Sequence, residues 1–182
     1  MGKLSAFLFI SLDGYYKDKQ DGIEWHEHTE EGNLFSEESL RHGNTLLFGR
    51  KTYELMHSFW PTQMAHQTYA EVARGMNESE KIVISDSLKS SPWKNTRIIS
   101  KNWIDEISQL KMTTNITLLG SGSILTQLAE AGTIDQLQFL IDPIVLGSGT
   151  PVFKGIKRSM NFKLAASKTF KNGSLLVMYS VL

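Results

Sequence analysis

Leu46-Leu47-Phe48-Gly49-Arg50-Lys51-Thr52-Tyr53-Glu54 is the stretch on which the fold turns. An apolar run of strand character ends at a glycine, and a helical pattern begins at once with two cations and a hydroxyl. A helix N-terminus carries unpaired N–H groups and a partial positive charge. Cations placed there are unfavourable until an anion compensates them, so the arrangement points to an anionic ligand, although a solvated Arg-Lys pair on an ordinary helix fits the same letters. A second junction of this kind lies at Leu118-Leu119-Gly120-Ser121-Gly122-Ser123-Ile124. It half matches a dinucleotide fingerprint, with Asp142 about 20 residues on. Leu125 stands at the third glycine, however, only about 60 residues follow Gly122, and Pro143 follows Asp142. A doubly wound Rossmann unit is therefore rejected, and two strand–helix junctions suited to two phosphates remain.

Outward from these turns, strand-like runs occupy Leu4–Leu12, Thr45–Phe48, Lys81–Ser85, Arg97–Ser100, Ile116–Leu119, Gln136–Leu146, Phe162–Phe170 and Ser174–Val181. The seventh and eighth flank Asn172-Gly173, a strong hairpin signal, so they pair antiparallel. Helical patterns fill Glu30–His42, Lys51–Ser58 and Met64–Arg74. A further helix carries Trp103, Ile104, Ile107 and Leu110 after an Asn102 N-cap, and another carries Ile124, Leu125, Leu128 and Ala131 before Gly132. Alternation of this kind specifies an α/β fold: about eight strands, mostly parallel, helices on both faces, and a C-terminal antiparallel hairpin. No repeat or linker divides residues 1–182, which read as one domain.

Composition narrows the function. Lys plus Arg equals Asp plus Glu at 19 each, so no basic field awaits a nucleic acid. The balance also leaves self-association unopposed, and a homodimer open. With no cysteine there is no disulfide, thiolate nucleophile or Cys-based metal site, and the chain suits the cytoplasm. No apolar stretch approaches the ~20 residues of a membrane span. Trp25-His26-Glu27-His28 offers two histidines but no third ligand, since His42, His57 and His66 sit on other elements, so no metal is expected. Trp60-Pro61 and Trp103 read as core or interface.

Ser11-Leu12-Asp13-Gly14, Gly22-Ile23-Glu24-Trp25 and the Gly49-Arg50-Lys51-Thr52 turn together resemble dihydrofolate reductase and its bacterial relatives. Leu119-Gly120-Ser121-Gly122 and the run Ile141-Asp142-Pro143 to Thr150-Pro151-Val152-Phe153 resemble the C-terminal reductase domain of riboflavin biosynthesis proteins. The resemblance runs from about Leu4 to Leu182 and implies the three-layer dihydrofolate reductase-like fold. It also implies an NADPH site. Gly49, Arg50, Lys51 and Thr52 would hold the adenosine phosphate, and Gly120, Ser121, Gly122 and Ser123, with Ile124 opening the helix, the pyrophosphate. Ser85 and Asp86 would meet the adenine ribose, Ile10 and Ser11 would line the nicotinamide, and the loop from Asp13 to Trp25 would close over it.

The substrate half departs from both relatives. A gapless count places Asn33 where dihydrofolate reductases carry their acid, and Phe139 where its hydroxyl partner stands. Leu118 and Leu119 replace the acid that riboflavin-type enzymes set before the glycine turn. Hydride transfer to C=N or C=O needs a proton donor, for which Asp13, Glu31, Glu24 and His26 are the candidates. The expectation is an NADPH-dependent oxidoreductase similar to 5-amino-6-(5-phosphoribosylamino)uracil reductase, acting on a small heterocyclic or carbonyl substrate. Two alternatives stay open: a dihydrofolate reductase with its acid re-routed to Glu31, and a non-catalytic NADP-binding protein.

Overall fold

The computed structural model describes residues 2–182. Its elements run β1 (Leu4–Ser11), β2 (Tyr15–Lys17), α1 (Glu30–Arg41), β3 (Thr45–Gly49), α2 (Arg50–Phe59), α3 (Gln63–Thr68), α4 (Ala70–Glu78), β4 (Lys81–Ile84), β5 (Thr96–Ile99), α5 (Trp103–Leu110), β6 (Ile116–Leu119), α6 (Gly122–Glu130), β7 (Gln136–Asp142), β8 (Thr150–Pro151), β9 (Phe162–Thr169) and β10 (Leu175–Val181). Eight strands form one sheet in the order β5-β4-β3-β6-β1-β7-β10-β9. The first six in that order are parallel, β10 runs against both β7 and β9, and the hairpin turns at Lys171-Asn172-Gly173 with Gly173 at φ +88°. This is the α/β architecture that the alternation of runs specifies.

Alternate residues of each strand serve opposite faces. Leu4, Ala6, Leu8 and Ile10 of β1 join Leu137 and Phe139 of β7 beneath α5 and α6, which contribute Ile107, Ile124, Leu125 and Leu128. The other face holds Leu46, Phe48 and Val83 against Tyr53 of α2 and Val72 and Met76 of α4. Farther along that face, Leu140, Phe170 and Leu176 pack with Phe7, Phe9 and Phe35, the last from α1. Burying each of these large side chains stabilises by ~1.5–3 kcal/mol.

Local expectations fare unevenly. The pattern at Met64–Arg74 is two helices, because Tyr69 leaves helical geometry at φ −135°, ψ 54°. Asn102 does occupy the N-cap of α5 but adopts left-handed geometry, and its side chain makes no capping bond. The short β2–β8 ladder, Tyr15 opposite Pro151, has no counterpart in the periodicity. It ties the loop after β1 to the loop after β7.

Candidate active site

All six parallel strands end on one edge, at Ser11, Gly49, Ile84, Ile99, Leu119 and Asp142. From β1 and β3 the chain winds toward β5, whereas from β6 it crosses α6 to β7 on the other side of β1. Ligands of open α/β sheets bind at such a reversal, outside the carboxyl ends of the strands.

There the two glycine turns meet. Gly49 donates its N–H to Ser121 Oγ at 2.8 Å, and Thr52 Oγ1 lies 3.4 Å from the same oxygen. A Cβ on Gly49 would stand 2.1 Å from Ser121 Oγ, so a side chain there would break the joint. Gly120 at φ +63° and Ser121 at φ +58° turn β6 sharply into α6. Neither α2 nor α6 has a side-chain cap from its own N-cap residue, and the two helix N-termini lie side by side. Ser123 is exposed on the first turn of α6, and Ile124 is buried beneath it.

The cations at this corner already have partners. Arg50 Nη1 donates to Glu54 Oε1 at 2.8 Å. Lys51 Nζ donates to Asp21 Oδ2 at 2.7 Å, while Lys17 Nζ stands 3.4 Å from Asp21 Oδ1. Hydrogen bonding to Lys51, aided by the charge of Lys17, holds the Asp21 carboxyl below its usual range, and Asp21 raises Lys51 in return. Tyr16 covers the start of α6, where a Cβ on Gly122 would meet its ring at 2.6 Å. Burial raises the Tyr16 phenol, with the Gly122 backbone opposing. A strap from Tyr16 to Asp21 therefore lies across both N-termini. The residues fit a diphosphate ligand by the chemistry of their donors, two uncapped helix starts and three cations, provided that the strap is displaced.

The other candidates divide into three places. Ser85 follows β4 on the same edge, its hydroxyl accepting from Ser87 and Leu88 N–H at 3.3 and 3.0 Å, with Asp86 exposed beside it. Ile10 is buried under α6, and Ser11 Oγ donates to Asp13 Oδ1 at 2.6 Å. Asp13 also accepts from Leu146 and Gly147 N–H at 3.1 and 2.7 Å. These bonds, that of Ser11 foremost, lower its pKa, so Asp13 is an ionised acceptor with no proton to give at neutral pH. Glu31 Oε2 accepts from Lys171 N–H at 2.7 Å, tying α1 to the hairpin loop.

A third group gathers at the ends of β1 and β7, on the face that carries α1. His26, 8% exposed, stacks on Phe9 with centroids 3.6 Å apart. Its Nδ1 lies 2.6 Å from Asp142 Oδ2, and Asp142 Oδ1 accepts from Ser174 Oγ at 2.7 Å. His28 meets the His26 ring edge-on at 4.9 Å, and burial followed by the neighbouring His26 lowers its pKa. Beside them Trp25, Glu27, Asp142, Pro143, Ile144 and Asn172 line a cavity of about 120 Å³. The indole N–H of Trp25 is buried without a hydrogen-bond partner. Trp25 thus stands with Asp142 rather than with the glycine turns. Phe139, the residue that the gapless count sets against the substrate, faces α6 on the opposite side of the sheet. Asp142, absent from the sequence-derived site, is the buried carboxylate of this pocket. Its signal was parity: two residues beyond Leu140 on β7, it shares the α1 face. Among the described residues no three His, Asp or Glu side chains gather as a metal site, and no helix is long and apolar enough to cross a membrane.

Similarity to known proteins agrees with this architecture. Over 174 residues the chain is 26% identical to the uncharacterized Bacillus subtilis (strain 168) protein YyaP, covering 94% of this chain and 91% of that one. It superposes on a Thermotoga maritima diaminohydroxyphosphoribosylaminopyrimidine deaminase/5-amino-6-(5-phosphoribosylamino)uracil reductase with a TM-score of 0.70 at 15% identity, covering all of this chain and 57% of the other. An Enterococcus faecalis dihydrofolate reductase complexed with NADP(H) aligns with a TM-score of 0.65 at 18% identity, over 99% and 96% of the two chains. These likenesses show the fold. The model of the RibD C-terminal domain matches residues 3–176, and the chain belongs to that family.

Proposed function

We propose that this protein is an NADPH-dependent reductase of a small heterocyclic or carbonyl compound, with the uracil reduction named for its Thermotoga relative as the nearest chemistry. The observation that carries the reading is the joint between the two glycine turns, where Gly49 N–H meets Ser121 Oγ and two uncapped helix N-termini lie side by side. Arg50, Lys51 and Lys17 supply positive charge for the phosphates, and the α6 amides supply hydrogen bonds. Ser85 and Asp86 stand along the edge toward the adenosine end, and Ile10 and Ser11 at the nicotinamide end. The bound cofactor supplies the hydride. The chain's own residues orient the two reactants, exclude water and hold the proton. Of the four candidate proton donors, His26 has the geometry for the task, an imidazole oriented through Nδ1 by a buried carboxylate. Glu24 lies exposed in the loop, and Asp13 and Glu31 are engaged with backbone N–H groups.

Calorimetry with NADPH and NADH tests the reading. NADPH should bind the more tightly, and replacing Arg50 and Lys51 together by Ala should cost roughly 1–3 kcal/mol for NADPH and much less for NADH. Absence of NADPH binding would overturn it.

A further inference from the structure

The charges cancel over the whole chain but not along it. No Asp or Glu follows Asp142, whereas Lys154, Lys157, Arg158, Lys163, Lys168 and Lys171 all do. On α1, by contrast, Glu30, Glu31, Glu37 and Glu38 outnumber Arg41. Both kinds of charge come together on the α1 face of the sheet. β9 is an edge strand, so one side of its backbone has unpaired N–H and C=O groups. It pairs Lys168 with Leu176, Ala166 with Met178 and Lys163 with Ser180, a shift of register skipping Ala165. Parity therefore sets both lysines and Ala166 on the face of Leu176, all three exposed. Met178 and Ser180 beside them, and Gln136 and Gln138 of β7, are only half-buried. α1 borders this floor, with Phe35 against Phe7 and Leu40 turned to Gly75 of α4. Its flank away from α4 carries Glu31, Leu34 and Glu38, at i, i+3 and i+7 on one side of the helix. Leu34 is 57% exposed, and Glu38 is exposed beside it.

We propose that this face is the interface of a homodimer, in which the α1 flank of one protomer lies along β9 of its partner. A two-fold axis parallel to the strands sets the two sheets face to face and brings each α1 over the other copy's edge strand. It also keeps the ends level. Glu31 is bonded to the Lys171 N–H, at the end of β9 where Lys168 stands, so Glu31 comes opposite Lys168 and Glu38 opposite Lys163. The acids lie about 10 Å apart along the helix and the lysines about 13 Å apart along the strand. Leu34 falls between the acids, over Ala166. An acid–apolar–acid stripe thus meets a lysine–alanine–lysine edge, twice by symmetry. The partner's helix also shields the unpaired backbone of β9. A nucleic acid drawn to the lysines would meet Glu31 and Glu38 on the same face, which favours a second copy of this chain as the occupant.

Sedimentation velocity on the full chain tests the interface, from about 1 to about 100 µM protein and at about 50 and about 500 mM salt, a range over which exposed charges become screened. The wild type should dimerise, and its Kd should rise at least roughly fivefold across that range of salt. Glu38→Lys and Lys163→Glu each set like charges together at two symmetric points, and each should weaken the dimer roughly tenfold or more. The double variant restores opposite charges and should return to within about threefold of the wild type. Urea midpoints check that these exposed substitutions leave the fold intact. A chain still monomeric at the highest concentration overturns the proposal, as does a dimer indifferent to salt. So does a dimer that neither single variant weakens, or one that the double variant does not restore.

Discussion

His26 Nδ1 lies 2.6 Å from a carboxylate oxygen of Asp142, and the two side chains are only 4% and 5% exposed. Asp142 comes from the last residue of β7 and His26 from a loop 116 residues earlier, so the pair fastens that loop to the sheet. Ser174, 1% exposed, adds the start of β10 to the same knot.

Removing the Asp142 carboxylate leaves His26 and Ser174 buried without their hydrogen-bond partner, at ~1–3 kcal/mol for each bond lost. Asp142→Ala should therefore lower the urea midpoint sharply. Ser174→Ala, which removes one neutral donor, should cost only ~1–3 kcal/mol. Equal and small effects from the two variants would show that the knot does not stabilise the fold.

Lys81 supplies a pH dependence. Its side chain is buried at the C-terminus of α4, donating to the carbonyls of Met76, Asn77 and Ser79 at 3.0, 3.1 and 2.6 Å, with Trp93 4.8 Å away. Burial pushes its ammonium down to about 8 from an ordinary 10.5. Between those values the unfolded chain binds more protons than the folded one, so this group makes stability rise with pH across that window. Urea midpoints at about pH 7 and about pH 9.5 should show the rise in the wild type, and Lys81→Met should abolish it. At pH 7 the same variant should lose ~1–3 kcal/mol, because three carbonyls lose their donor.

The strap makes a prediction about affinity. Asp21 occupies Lys51 and Lys17 through its carboxylate, much as a ligand phosphate would. Both pairs have an exposed member, so each contributes only ~0–1 kcal/mol to folding. Asp21→Asn should then leave the urea midpoint nearly unchanged while tightening NADPH binding several-fold. Weaker binding by the variant would show that Asp21 helps to form the site instead of competing for it.

The glycine turns were legible in the sequence because their message lies in the backbone. A strand that ends at Gly49 or Gly120 and a helix that begins at once are local events, and their adjacency follows from the pairing of β3 with β6. The loop from Asp13 to His28 was not legible. Its residues are fixed by partners far along the chain, Asp13 by Gly147, Asp21 by Lys51 and His26 by Asp142. Asp142 itself read only as the acid of a rejected dinucleotide fingerprint, since a count along one strand without its facing helix does not say which parity meets the substrate. The split of Met64–Arg74 at Tyr69 was not legible either, since the helical period runs through the residue at which the backbone leaves helical geometry.

Dihydrofolate should be a poor substrate. Ionic recognition of a pterin from α1 needs a carboxylate there that faces the ring. Asn33 is an amide, and Glu31 gives its carboxylate to the Lys171 N–H at 2.7 Å on the hairpin side. Phe139, counted opposite, lies on the α6 face and takes no part in this pocket. The buried carboxylate that remains is Asp142, approached from β7 and already holding His26 and Ser174. A steady-state assay with NADPH and dihydrofolate from about pH 5 to 8 should give turnover far below the ~10 s⁻¹ typical of enzymes. Turnover near that figure, abolished by Glu31→Gln, would place the acid back on α1 and Asp142 outside the substrate site.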